Sequence, residues 1–148
     1  MTGTKIDGKI IAQTVKDRVK KSTSELKKEG INPCLATVLV GNNTASATYV
    51  RNKHKACEEV GIITKDHKLD ENTTQQQLSS IIDELNTDAT VHGILVQLPL
   101  PKHLSEFATT SRISPLKDVD GLTPHNAGLL AMSKAALVMY PIRSNGNV

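Results

Sequence analysis

The first apolar positions along the chain recur at helical spacing. They predict one amphipathic helix, opened by Asp7 as a cap and ended by Gly30, with lysines and glutamates on its other face. The apolar positions are Ile10, Ile11, Val15, Val19 and Leu26. This helix comes before any predicted strand.

Two later segments are continuous apolar runs. Residues 34–40 are rich in β-branched side chains and end at Gly41, which is typical of a strand covered on both faces. Residues 93–98 form a second such strand, halted by Pro99 and Pro101 because proline cannot donate to a sheet. Residues 62–69 carry more charge and predict an edge strand.

Helical patterns separate these strands. One runs over 44–60 and is stopped by Gly61, and a second is opened by a capping box of Thr74 and Gln77. Two short helices are predicted over 104–113 and 126–132, whereas 139–148 has no periodicity and is predicted to be irregular. Strands that alternate with helices predict an α/β fold, a parallel sheet with flanking helices in a single domain.

Composition excludes several function classes. A net charge of +3, with acids interleaved among the bases, forms no basic stripe, so nucleic acid is not an expected partner. No apolar run approaches the ~18 residues of a membrane span, and residues 1–10 lack the apolar core of a secretory signal. We therefore expect a cytoplasmic protein with no membrane partner, in which Cys34 and Cys57 are reduced core residues.

The helix over 44–60 carries the most informative polar residue. At 100° per residue, Lys53 falls on one stripe with Tyr49 and small or apolar residues, while the other charges of the helix lie toward the opposite side. Burial penalises an ammonium and favours the neutral amine, which suits Lys53 to proton transfer, with the Tyr49 phenol one turn away. The alternative is that Lys53 reaches solvent past apolar neighbours and Tyr49 is ordinary core filling.

Gln97 is the second candidate, because its amide comes at the end of an otherwise apolar strand. Ligands of parallel α/β sheets bind at the carboxyl edge, where Gln97 and the loop before Tyr49 arrive. Alternatively, Gln97 satisfies a backbone group of the loop.

Other chemistry finds little support. Asp118 and Asp120 could together hold a divalent metal, but no further ligand accompanies them, and an Asp-Gly turn explains the segment better. The five histidines show no metal-ligand spacing, and no glycine-rich nucleotide fingerprint occurs.

Three ordered segments carry a resemblance to a known family. Residues 49–61 (YVRNKHKACEEVG), 92–101 (HGILVQLPLP) and 117–121 (KDVDG) resemble the bifunctional methylenetetrahydrofolate dehydrogenase/methenyltetrahydrofolate cyclohydrolase family. The likeness continues through 120–128 and covers about residues 5 to 132. A short-chain dehydrogenase also uses Tyr-x-x-x-Lys, but it needs a glycine-rich turn that is lacking before Tyr49.

The resemblance implies a role for each candidate residue. Lys53 would be the catalytic lysine, moving a proton as water adds to the methenyl carbon and the imidazoline ring opens. Gln97 would tune Lys53 by hydrogen bonding, and Asp120 would accept hydrogen bonds from the pterin. Tyr49 would pack on the aminobenzoyl ring, and the Leu98-Pro99-Leu100-Pro101 loop would form part of the pocket wall. We therefore expect the catalytic residues Lys53, Gln97 and Asp120 and the substrate-binding residues Tyr49, Leu98, Pro99 and Leu100, with no metal.

The resemblance also implies partners. The substrate is a one-carbon tetrahydrofolate, and the family binds NADP or NAD on a following Rossmann domain. Because the likeness ends after Met132, we expect a catalytic domain over 1–132, a divergent tail over 133–148 and the Rossmann NAD(P) domain missing. No NADP is then expected to bind this truncated chain, and the hydride step is not expected of it. A homodimer is expected, and the alternative function is a non-catalytic fragment that acts by pairing with itself or with full-length subunits.

Overall fold

The computed structural model describes residues 7–132 and Lys134. The helices are α1 (Gly8–Lys28), α2 (Thr44–Val60), α3 (Gln75–Thr87), α4 (Glu106–Arg112) and α5 (Pro124–Ala131), and the strands are β1 (Cys34–Val40), β2 (Ile63–Leu69) and β3 (Gly93–Val96). The irregular segment predicted at 139–148 lies outside the described residues, as does nearly all of the tail expected from residue 133 onward.

The three strands form one sheet in the order β2-β1-β3, and both pairings are parallel. β1 is central and almost entirely buried, whereas β2 is an edge strand with alternating exposure. A single bridge between Ile94 and Asp118 adds one more residue beside β3. The predicted α/β fold, a parallel sheet with flanking helices, is confirmed.

The core lies mainly between one face of the sheet and α3. Alternate residues of β1 point to this face, because side chains of a strand alternate between its two sides. The cluster is entirely aliphatic and comprises Ala36, Val38, Val40, Leu78, Ile82, Leu85, Val91, Ile94, Val96, Leu100, Leu104 and Ile113. The opposite face of β1 meets α2, where Thr37 contacts His54. Helices therefore cover both faces, as the unbroken apolar run of β1 predicts.

Helix α1 begins and ends where the sequence predicts, but its apolar face is uncovered. Asp7 accepts a hydrogen bond from the Lys9 backbone, and Gly30 takes a positive φ of 81° just after the helix. Ile10 and Ile11 are 66% and 53% exposed, so the described residues leave this face open. Only Thr23 of this helix is buried, against the end of α2.

The boundaries of two elements, β3 and α5, differ from the prediction. β3 ends at Val96, so Gln97 and Leu98 follow the strand instead of belonging to it. Helix α5 begins at Pro124, two residues earlier than predicted, because Thr123 caps it by accepting from the Asn126 backbone N–H and proline fits the first helical position. No helix in the described part of the chain is long and apolar enough to cross a membrane.

Candidate active site

Helix α2 places Lys53 on its buried side, although not with the neighbours predicted. The face that packs on the sheet contains Ser46, Val50 and Val60, whereas Tyr49 is 64% exposed. The buried face of α2 is thus rotated about the helix axis relative to the predicted stripe: Ser46 is buried, and the larger Tyr49 is not. Lys53 is half-buried instead of buried, and Tyr49 as core filling is wrong.

His54 also lies toward the sheet, although the spacing predicts it on the solvent-exposed side of α2. Its Nε2 lies 2.8 Å from Asp66 Oδ1 and 3.0 Å from Thr37 Oγ1, and Thr37 donates to the same Asp66 oxygen at 2.8 Å. These residues lie over β1 and β2, beside a cavity of about 230 Å³. This group is on the β2 side of α2 and is separate from the candidate active site.

Gln97 follows β3 directly and is half-buried. Its backbone N–H donates to Val38 O at 2.9 Å, and its Nε2 donates to Leu98 O at 2.7 Å. Its Oε1 is buried and accepts no hydrogen bond from any residue that the structure describes. The amide therefore satisfies a loop carbonyl, as one interpretation predicted, and still keeps an acceptor without a protein donor.

The loop after Gln97 forms part of a cavity at the carboxyl edge of the sheet. Pro99 is exposed, while Leu98 is half-buried and Leu100 is buried in the core. Leu100 N–H donates to Glu106 Oε1 at 3.0 Å, which fixes the loop on α4. The cavity measures about 360 Å³ and is lined by Val40, Gly41, Asn42, Asn43, Glu71, Pro99, Leu100 and Pro101.

Asp120 brings a carboxylate toward Lys53. Asp120 is half-buried, and its burial raises the pKa of its carboxyl. The Lys53 ammonium lowers this pKa and the Asp118 carboxylate raises it. The net shift of the Asp120 pKa is upward. Lys53 Nζ makes no hydrogen bond to Gln97 or Asp120 within the described part of the chain. The bond between Gln97 and Lys53 that the resemblance implies is thus not formed here, and catalytic hydrogen bonds often form only when substrate is bound.

Asp118 is a residue whose importance the sequence did not reveal. It is fully buried, and it accepts hydrogen bonds from the N–H groups of Leu122 (3.1 Å) and Thr123 (2.8 Å) and from Asn126 Nδ2 (3.1 Å). Burial raises the pKa of the Asp118 carboxyl, but these hydrogen bonds outweigh it and the pKa is lowered. The available sequence signal was the Thr123-Pro124 cap, which requires a fixed turn before α5.

Lys117 and Val119, the neighbours of Asp118 in sequence, are also held in place. Ile94 N–H donates to Lys117 O at 2.7 Å, and Lys117 Nζ donates to Leu85 O and Asp88 O at 2.9 and 2.8 Å. Val119 lies so close to Gly93 that a Cβ there would be 2.5 Å from its Cγ1. Only glycine fits at position 93 without a shift of Val119.

The described residues contain neither a cluster of metal ligands nor a glycine-rich turn after β1. No group of three or more histidine, cysteine or acidic side chains is placed to hold a metal within residues 7–132. The turn between β1 and α2 has Asn42 and Asn43 after its one glycine, and Asn43 Oδ1 already accepts the Ser46 N–H at the helix start. A dinucleotide pyrophosphate needs free N–H groups at such a turn.

The fold defines a class: a parallel α/β domain, here with candidate polar residues near the carboxyl edge of its sheet. Within that class, the chain belongs to the tetrahydrofolate dehydrogenase/cyclohydrolase family, whose catalytic domain matches residues 6–120. The family expected from the three ordered segments is confirmed.

Individual relatives agree. The chain is 80% identical over 138 residues to the bifunctional protein FolD of Nitrosopumilus maritimus, covering 93% of this chain and 48% of that protein. The solved FolD methylenetetrahydrofolate dehydrogenase/cyclohydrolase of Campylobacter jejuni superposes with a TM-score of 0.87 at 46% identity, over 89% of this chain and 47% of that one. The Trypanosoma brucei enzyme, solved with NADP cofactor and inhibitor, gives a TM-score of 0.85 at 34% identity, over 93% and 48%. The chain thus spans about half the length of the relatives it matches.

Proposed function

We propose that this chain binds a one-carbon tetrahydrofolate between α2 and the 117–121 loop, and that it serves the interconversion of 5,10-methenyl- and 10-formyl-tetrahydrofolate. Lys53, Gln97 and Asp120 are the catalytic residues of this proposal, and Tyr49, Leu98, Pro99 and Leu100 contact the substrate. The domain that carries this site spans residues 1–132, with 133–148 as a tail.

The unpartnered Oε1 of Gln97 is the observation that carries the proposal. A buried acceptor without a donor costs about 1–3 kcal/mol, so it is retained where a ligand or another side chain supplies the donor. This oxygen lies where β3 ends, on the sheet edge at which parallel α/β domains bind ligands. Family membership supports a folate as that ligand.

The charges around the site support a proton-transfer role. Water that attacks the methenyl carbon loses one proton on addition and its second when the formyl C=O forms, whereas the ring nitrogen whose bond to this carbon breaks gains one, so one proton is released overall. The amine of Lys53 can accept a proton from the water and donate one to the ring nitrogen, with no metal involved. Asp120, which is half-buried and within the field of Lys53, accepts hydrogen bonds from the pterin and orients the ring.

The hydride step is not assigned to the described residues. NADP occurs with the Trypanosoma brucei relative, whereas the turn after β1 in this chain has a single glycine, and Asn43 caps α2 by accepting the Ser46 N–H. Proton transfer on the methenyl carbon uses no nicotinamide, so the two halves of the family's chemistry are separable in this proposal.

Titration of 5,10-methenyltetrahydrofolate into the purified chain tests the proposal. The wild-type chain should bind it, and Gln97→Met, which keeps the volume but removes the amide, should weaken binding about tenfold. Gln76→Met on the exposed side of α3 is the control and should bind like wild type. Equal affinity of Gln97→Met and wild type contradicts the site assignment, and no binding by wild type contradicts the function.

A second candidate function rests on the uncovered face of α1. Ile10, Ile11 and Val15 are 66%, 53% and 41% exposed, and an apolar stripe of this kind is typical of an interaction surface. In this alternative the chain acts by pairing with itself or with longer relatives, without catalysis. Sedimentation should then show concentration-dependent association that Ile11→Lys abolishes, and a monomer at all concentrations would contradict it. The homodimer and the cytoplasmic location stay predictions.

A further inference from the structure

We infer that Asp118 is a positioning residue of the folate site, acting through Asp120. The inference rests on the proposed function, because it assigns Asp118 the task of holding Asp120 toward Lys53. Asp118 itself is fully buried and does not contact the substrate.

The argument begins with the hydrogen bonds of Asp118. Its Oδ2 accepts from Thr123 N–H and Asn126 Nδ2, and its Oδ1 accepts from Leu122 N–H. These donors belong to the turn after Asp120 and to the first turn of α5. The Asp118 carboxylate therefore ties the loop to the residues that follow Asp120 in sequence.

The near side of the loop is held by the sheet. Asp118 forms a bridge with Ile94, and Val119 fills the space above Gly93, where no Cβ fits. Asp120 is thus one residue away from a packed side chain and two from a buried anchor. Its own side chain is left half-buried and under the electrostatic influence of Lys53.

Only an ionised carboxylate satisfies all three donors at position 118. Asparagine has the same shape, but its NH₂ group would face a backbone N–H in place of one oxygen. Asp118→Asn therefore loosens the loop without changing the volume of the core. The expected result is that folate binds about tenfold more weakly.

Asp83→Asn is the control. Asp83 accepts two hydrogen bonds from Arg112 on the surface of the domain, and neither residue contacts the 117–121 loop among the described hydrogen bonds. Its replacement should leave folate affinity unchanged in folded protein. Asn126→Ala removes one of the three donors to Asp118 and should give a smaller loss than Asp118→Asn, which keeps the test available if the latter fails to fold.

A double-mutant cycle on 5,10-methenyltetrahydrofolate binding separates positioning from general damage. If Asp118 acts through Asp120, Asp118→Asn weakens binding in the wild-type background and has no further effect in Asp120→Asn. Losses that multiply in the double variant, or no loss in Asp118→Asn alone, would overturn the inference.

A measurement without folate decides the same question if the wild-type chain fails to bind. NMR titration of the Asp120 carboxyl carbon should give a lower pKa in Asn126→Ala than in wild type, because the loosened loop loses burial while the Asp118 charge is kept. Asp83→Asn should leave the pKa of Asp120 unchanged. An unchanged Asp120 pKa in Asn126→Ala contradicts the inference, whereas absence of folate binding by wild type contradicts only the proposed function.

Discussion

Lys53 of α2 acts electrostatically on the carboxyl of Asp120: burial raises the pKa of that carboxyl, and the Lys53 ammonium lowers it. The two residues are far apart in sequence: Lys53 belongs to α2, and Asp120 belongs to the turn before α5. A carboxyl whose pKa is perturbed by burial and by a specific charge partner is a candidate functional group.

Asp120→Asn should stabilise the free chain at neutral pH while weakening folate binding. Because the folded-state pKa of Asp120 is raised, the folded chain binds its proton more tightly, and ionisation costs stability as pH rises through the interval between the unfolded and folded pKa values. The variant removes that cost. Urea unfolding should show a gain at about pH 7 that vanishes near pH 3, below the unfolded value. Lower stability of the variant at neutral pH would count against a raised pKa.

Asp118→Asn should destabilise the free chain at neutral pH. The pKa of Asp118 is lowered, so its ionised form stabilises the fold above the unfolded pKa, and this contribution is lost as pH falls through the folded pKa. The variant should lose about 1–3 kcal/mol at neutral pH because one backbone N–H is left without an acceptor. Unfolding curves of wild type and variant should converge on acidification. A constant difference down to about pH 2 would contradict the assignment.

Gly93→Ala should destabilise the chain by about 1–3 kcal/mol through overpacking against Val119. Val119→Ala in the same chain should recover most of the loss, since it removes the atom that the new Cβ meets. Gly128→Ala is the control, because its Cβ meets nothing within 4 Å in helix α5, and it should be neutral or stabilising. Thermal unfolding of the four proteins measures this, and failure of Val119→Ala to rescue would refute the contact as the cause.

Tyr49→Ala should weaken folate binding without loss of stability. The ring is 64% exposed and fills no core, so truncation should change the free energy of unfolding by less than about 0.5 kcal/mol. Stacking on an aromatic ring contributes about 0.5–1.5 kcal/mol, which predicts up to about a tenfold loss of affinity. Tyr49→Phe keeps the ring and should bind like wild type. If Tyr49→Ala binds as tightly as Tyr49→Phe, the ring does not contact substrate.

Most of the fold follows from local sequence signals. The span of α2, the Thr74–Gln77 capping box of α3 and the central position of β1 all agree with the pattern of apolar and turn residues. The boundary of α5 could also have been found, because Thr123-Pro124 is a start signal. These features depend on residues adjacent in sequence, which is why they are predictable.

The features that the sequence did not predict depend on contacts with residues distant in sequence. The face that α2 buries is chosen by the sheet beneath it, so small Ser46 is buried where Tyr49 was expected. The amphipathic pattern of α1 does not say what covers its apolar stripe, and among the described residues nothing covers Ile10 and Ile11. Asp118 was interpreted as part of a turn, since its three donors are recognisable only once the loop is folded.

The rate at which the purified chain hydrolyses 5,10-methenyltetrahydrofolate tests the central claim most directly. Lys53→Met removes the amine, and Lys55→Met removes a lysine from the exposed side of the same helix. The rate should fall about 10²- to 10⁴-fold in Lys53→Met, with folate still bound, and stay at the wild-type level in Lys55→Met. Hydrolysis by Lys53→Met at the wild-type rate would contradict the assignment of Lys53 as the group that moves the proton.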